Sequence, residues 1–167
     1  VPIDVNTTDE PGWWMARLSR ELYRAERVTR FEALEAWYRG DPPLPEGASA
    51  ARSAFRAFQR FARSNFAALI VEALRERMRQ RGIRTSADSD DTGDAEAWRL
   101  WRSMRGPSVA SEVHRMMGKF GCAYALVGEP VGGVPVLSAE DPRWVVAEDD
   151  PLRPWAPRAG LKIFRDD

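Results

Sequence analysis

The 167-residue chain is long enough to bury a substantial core, and its 25 Lys+Arg balance 25 Asp+Glu, so net charge points to no nucleic-acid partner. One cysteine, Cys122, excludes an intrachain disulfide and a cysteine zinc site, and one histidine, His114, excludes any centre that needs two imidazoles. No apolar run approaches the roughly 18 residues of a membrane span, and the opening VPIDVNTTDEPG lacks the basic-then-apolar pattern of a secretory signal.

In chain order, the first expected helix runs from about Pro11 to Arg39. Thr8 or Asp9 caps it, and Pro11 sits where a missing N–H costs nothing. Trp14, Leu18, Leu22 and Ala25 recur at helical spacing, while Phe31, Leu34, Trp37 and Tyr38 continue the apolar surface with a shifted phase. That shift predicts a bend or break near Val28. Glu26–Arg30 and Glu35–Arg39 are i,i+4 pairs worth about 0.2–0.5 kcal/mol each. Gly40 ends the helix, and DPPLPEG keeps the chain extended.

A second helical stretch covers about Ser49 to Arg63, with Ala51, Phe55, Phe58 and Ala62 on one face. Ser64 or Asn65 caps a third, in which Phe66, Leu69, Ile70, Ala73 and Leu74 are expected to face inward until Gly82 stops the run. Residues 85–94 read as a solvated loop. Short helices follow over about Asp94–Met104 and from Ser108 to Phe120, the first with Trp98, Trp101 and Met104 on one side. Period two then replaces 3.6: Cys122–Val127, Val134–Leu137, Trp144–Ala147 and Leu161–Phe164 are the predicted strands, with EPVGG, EDP and EDDP as breaks. The expected fold is α+β, N-terminal helices (11–120) followed by a small, mostly antiparallel sheet (121–167).

Charge is segregated along this frame. From Arg52 to Arg84 there are nine arginines and two acids, Glu72 and Glu76, whereas Asp88 to Glu96 holds five acids and no base. The candidate basic face comprises Arg52, Arg56, Arg60, Arg75, Arg77, Arg79 and Arg81, and its candidate acidic partner Asp88, Asp90, Asp91 and Asp94. Three readings fit: a solvated face, an intersubunit face, or contact with a nucleic-acid backbone.

Chemistry-bearing constellations are sparse. Glu140-Asp141 and Glu148-Asp149-Asp150 sit beside prolines, as solvated turn acids do; a divalent ion or a nuclease would need them gathered around one point. His114 has no nearby partner in sequence, and Cys122 reads as a small buried apolar residue. Gly121, Gly128, Gly132 and Gly133 lack the strand–loop–helix grammar and lysine of a phosphate-binding loop. No catalytic, cofactor or metal site is expected. Seven tryptophans, including adjacent Trp13 and Trp14, supply core anchors, and one of that pair is a possible interface anchor.

Seven pieces in order carry a resemblance: WW-x(3)-L at 13–18, LEAWYRGDPPLP at 34–45, FQRFARSNFAALIVEALRERMRQRGIR at 58–84, AWRLWRSM at 97–104, GKFGCAYALVG at 118–128, EDPRWVV at 140–146 and LKIFRDD at 161–167. Together they resemble the N-terminal part of tailed-bacteriophage portal proteins, in particular the SPP1 Gp6-like portals of phages infecting actinobacteria.

The resemblance implies a non-enzymatic subunit of a ring, a dodecamer in that family, at one capsid vertex of the virion, assembled in the host cytoplasm. Its implied partners are further copies of itself, the major capsid protein, the terminase large subunit, neck or head–tail adaptor proteins, and double-stranded DNA in the assembled channel. It implies the wing region of the portal, with Leu34, Trp37, Tyr38 and Gly40 as helix-end packing positions and Asn65 opening the next helix. Arg75 and Arg81 would lie on that helix's polar side, and Asp141-Pro142 would form a strand turn. The family's stem, clip and tunnel loop have no counterpart in these 167 residues, as expected of a fragment. The alternatives are a nucleic-acid-binding helical module and a virion adaptor or scaffold protein.

Overall fold

The computed structural model describes residues 4–41, 53–54, 56–57, 65–85 and 93–164. Helices α1 (Pro11–Leu22), α2 (Ala25–Arg39), α3 (Phe66–Arg77), α4 (Ala95–Ser103) and α5 (Gly106–Phe120) precede strands β1 (Tyr124–Val131), β2 (Val134–Glu140), β3 (Val145–Asp150) and β4 (Arg153–Lys162). Residues 53–54 and 56–57 are also helical. The fold is α+β with helices ahead of strands, but the strands form two antiparallel pairs, β1–β2 and β3–β4, rather than one sheet. The chain divides into two compact units, Val1–Glu32 with Glu140–Asp167, and Ala33–Ala139.

In the first unit, α1 lies on the β3–β4 pair. Leu18, Leu22 and Val146 are each less than 5 % exposed and form the core, with Trp14, Ala159, Leu161 and Ile163 packed around it. Burying a leucine side chain contributes about 1.5–3 kcal/mol, so this small cluster dominates the unit's stability. The strand register pairs Val145 with Lys162 and Val146 with Leu161, then slips at Asp149 and Asp150. That irregularity lets β3 extend through the Glu148-Asp149-Asp150 run, where the sequence predicted a break.

The expected single helix over 11–39 is two helices, separated at Tyr23 and Arg24 rather than near Val28. The physical reason lies in the phase. Leu22 and Phe31 are both buried, yet nine residues at about 100° each would place them on opposite sides of one continuous helix. The break resets the phase. Pro11 opens α1 after Glu10, which makes no side-chain cap, so neither Thr8 nor Asp9 fills that position. Arg27 then ties the first turn of α2 to the β2–β3 connection by donating to the carbonyls of Pro142 (2.8 Å) and Val145 (3.1 Å), with its guanidinium over the Phe31 ring.

In the second unit, α5 packs against α3 and α4. Close approach is built in by glycine: a Cβ at Gly118 would lie 3.1 Å from Val71, and one at Gly106 would lie 2.2 Å from the Trp101 ring. Asn65 caps α3 with its Oδ1 accepting from the Ala68 N–H (3.1 Å) while its Nδ2 donates to the Tyr38 carbonyl (2.7 Å). One side chain thus joins the end of α2 to the start of α3. Helix α5 begins two residues before the expected cap Ser108, after Arg105 in a left-handed conformation. Strand β1 continues to Val131, so the turn shrinks from EPVGG to Gly132-Gly133, both at positive φ (61° and 80°) as a tight primed turn demands.

Candidate interaction surfaces

Helix α3 carries two unlike faces, and they are the reverse of the predicted ones. Val71 is buried, and Glu72 and Arg75 are half-buried beside it. Phe66 (66 %), Leu69 (61 %), Ile70 (62 %) and Leu74 (56 %) are exposed. The inward side is the small and ionic one because α5 comes too close at Gly118 for larger side chains. Hydrophobic periodicity identified the apolar stripe correctly but assigned it to the wrong side.

The inward side of α3 joins a polar cluster within the second unit. Tyr38 donates its hydroxyl to Glu72 Oε1 (2.6 Å), Arg75 Nε donates to Glu72 Oε2 (2.6 Å), and Arg115 Nε lies 3.2 Å from Glu72 Oε1. Arg75 also donates to Ser111 Oγ (2.8 Å) and Arg115 to Glu112 Oε2 (2.9 Å). Nearby, Lys119 forms an ion pair with Glu35, both side chains nearly buried, and lies over the Tyr38 ring. The Tyr38 hydroxyl, followed by Arg75 and Arg115, holds the Glu72 carboxyl below its ordinary value; burial, then the Glu72 contact, raises Tyr38. The cluster locks α2, α3 and α5 together. Sequence spacing hinted only at Glu35–Arg39, which does form (2.7 Å); Glu26 pairs instead with Arg24 (3.4 Å).

The predicted basic face separates accordingly. Arg75 is committed to the cluster, whereas Arg77, Arg79 and Arg81 are exposed and make no ion pair among the described residues. Arg56 is exposed on its helical turn; Arg52 and Arg60 lie outside the described residues. Of the predicted acidic face, Asp88, Asp90 and Asp91 also lie outside them. Asp94 is described, and it caps α4: its Oδ1 accepts from the Ala97 N–H (2.8 Å) and its Oδ2 from the Thr85 hydroxyl (2.6 Å), which hold its carboxyl below the ordinary value.

A groove of about 510 Å³ runs between the end of α3 and the start of α5, lined by Arg75, Arg79, Ser108 and Ser111 together with the acids Glu76 and Glu112. Its mixed charge gives no net preference for an anion.

Three of the turn carboxylates are tied to arginines. Asp141 takes a forked pair from Arg143 (2.5 and 3.0 Å), Glu148 takes one from Arg17 (2.5 and 3.0 Å), and Asp150 takes Arg153 (3.0 Å). Glu140, buried, meets Lys162 at 2.7 Å. Among the described residues no three His, Cys, Asp or Glu side chains come together as a metal site would require, and no helix is long and apolar enough to cross a membrane. Trp13 and Trp14 meet edge to face at 4.8 Å, Trp14 packing on the first unit's core.

A second exposed apolar surface among the described residues of this unit is the β1–β2 ribbon. Leu126, Val127, Val131 and Val136 are exposed on it, and Glu129 is exposed between them without an ion pair among the described residues. Among the described residues no third strand pairs with either edge of this ribbon, so this is a surface that association would stabilise. No protein-family profile, curated protein or solved structure matches this chain.

Proposed function

We propose that this chain is part of the wing of a phage portal ring, a non-enzymatic subunit that joins copies of itself at the capsid vertex. In that role the ring is the conduit for DNA and the platform for terminase and neck proteins. The observation that carries the reading is the seven-piece resemblance, taken with exposed apolar stripes on both α3 and β1. A ring wall needs unlike, sticky lateral faces on a rigid core, and it needs no reactive centre. Particle imaging of the native polypeptide tests it: a ring with a central channel is the expected result, and uniformly single subunits at high concentration would refute it.

A second reading, a nucleic-acid-binding helical module, is favoured by Arg77, Arg79 and Arg81, exposed and without an ion pair among the described residues. It requires DNA binding by the isolated chain that weakens steeply with salt and is lost when these three arginines become alanine.

A further inference from the structure

The outward faces of α3 and β1 complement each other. On α3, Phe66, Ile70, Leu74 and Arg77 stand at i, i+4, i+8 and i+11 and therefore share one side of the helix. The first three are 56–66 % exposed, and the guanidinium that ends the row has no ionic partner among the described residues. On β1, alternation puts Val127, Glu129 and Val131 on one side of the strand. The two valines are 67 % and 72 % exposed, and the carboxylate between them is also unpaired among the described residues.

Length agrees as well. The midpoint between Ile70 and Leu74 lies about 7.5 Å from Arg77 along the helix axis, and Val127 lies about 7 Å from Glu129 along the strand. Each row is apolar with a single charge, and the two charges are of opposite sign. Both rows belong to the same compact unit, where the described residues leave the large side chains of each uncovered.

We propose that a second copy of this chain seats Val127, at one end of its Val127–Glu129–Val131 row, between Ile70 and Leu74 of its neighbour, with Glu129 pairing Arg77. The contact joins unlike surfaces, so it is head-to-tail: every copy gives its strand and receives on its helix. It rests on the ring reading for the premise that copies associate, and it names the faces through which they do. The pairing charge sets register, and burial of the apolar rows supplies the affinity.

Sedimentation velocity on the 167-residue chain, on Ile70→Asp and on Val127→Asp tests this, each variant being measured alone and in a one-to-one mixture. Both positions are exposed, so the fold should survive, and circular dichroism matching the parent verifies that. The parent is expected to assemble, and each variant alone to sediment as a monomer, its self-association weakened at least about thirtyfold. The mixture is expected to stop at a heterodimer, because one intact helix row and one intact strand row remain between the two variants. Glu129→Arg and Arg77→Glu should each weaken assembly and the double variant should restore it. If both variants assemble like the parent, or if the mixture stays monomeric, the assigned contact is wrong while the ring reading survives. A parent that remains monomeric at every concentration contradicts the ring reading and this contact together.

Discussion

The two compact units use their apolar residues in opposite ways. In the first, Leu18 and Leu22 of α1 disappear against Val146, Leu161 and Ile163, so the helix stripe has found its partner within the chain. In the second, α3 turns Val71, Glu72 and Arg75 inward and leaves Phe66, Leu69, Ile70 and Leu74 outside. Both helices are amphipathic, yet only one conceals its large apolar residues. What decides is the approach distance allowed by the neighbour. The β3–β4 pair offers α1 a flat apolar face, whereas α5 presses Gly118 onto Val71 and offers α3 acids and bases to pair with.

That contrast can be broken experimentally. The largest effect is expected at the core of the first unit, where Leu22→Ala should lower stability by about 2–5 kcal/mol in chemical denaturation. A change under about 1 kcal/mol would mean that α1 is not docked as described. Gly106→Ala comes next. Its new methyl would collide with the Trp101 ring, and an overpacking penalty of about 1–3 kcal/mol, with a shifted tryptophan fluorescence, is the expected outcome.

Glu72→Gln sharpens the comparison from the ionic side and should cost about 1–2 kcal/mol near neutral pH. Folding holds this carboxyl below its ordinary value, so its stabilisation is complete above the ordinary glutamate range and drains away as pH falls through the depressed folded value. The variant should accordingly lose less stability than the parent between about pH 5 and pH 3; equal slopes would mean Glu72 is not ion-paired in solution. The smallest effect belongs to the outward stripe. Leu69→Ser should change the stability of the monomer by no more than about 0.5 kcal/mol, since no buried contact is lost.

Much of this was legible in the sequence. The Trp14–Leu18–Leu22 spacing gave the first core, Asn65 was one of the two caps offered for its helix, Asp94 was placed at a helix start, and the phase change after Ala25 announced a break. The position of that break was not legible, because Tyr23-Arg24 contains neither Gly nor Pro and only the joint burial of Leu22 and Phe31 forces it. Periodicity shows that a helix has an apolar side but not whether a partner covers it, and so the outward stripe of α3 was misassigned. Glu72 and Arg75 resembled wet residues until Tyr38, Ser111 and Arg115 arrived from distant parts of the chain. Acidic and Pro-containing stretches that looked like turns proved to be strand: Glu129-Pro130-Val131 lies on an open edge and Glu148-Asp149-Asp150 in an irregular one.

Hydroxyl-radical labelling read by mass spectrometry, performed on the monomeric and assembled protein, tests the central contrast most directly. Leu69, Ile70 and Leu74 should be strongly oxidised in the monomer and shielded in the assembly, while Leu18 and Leu22 stay shielded in both. Shielding of the α3 leucines already in the monomer, or their undiminished oxidation in the assembly, would contradict it.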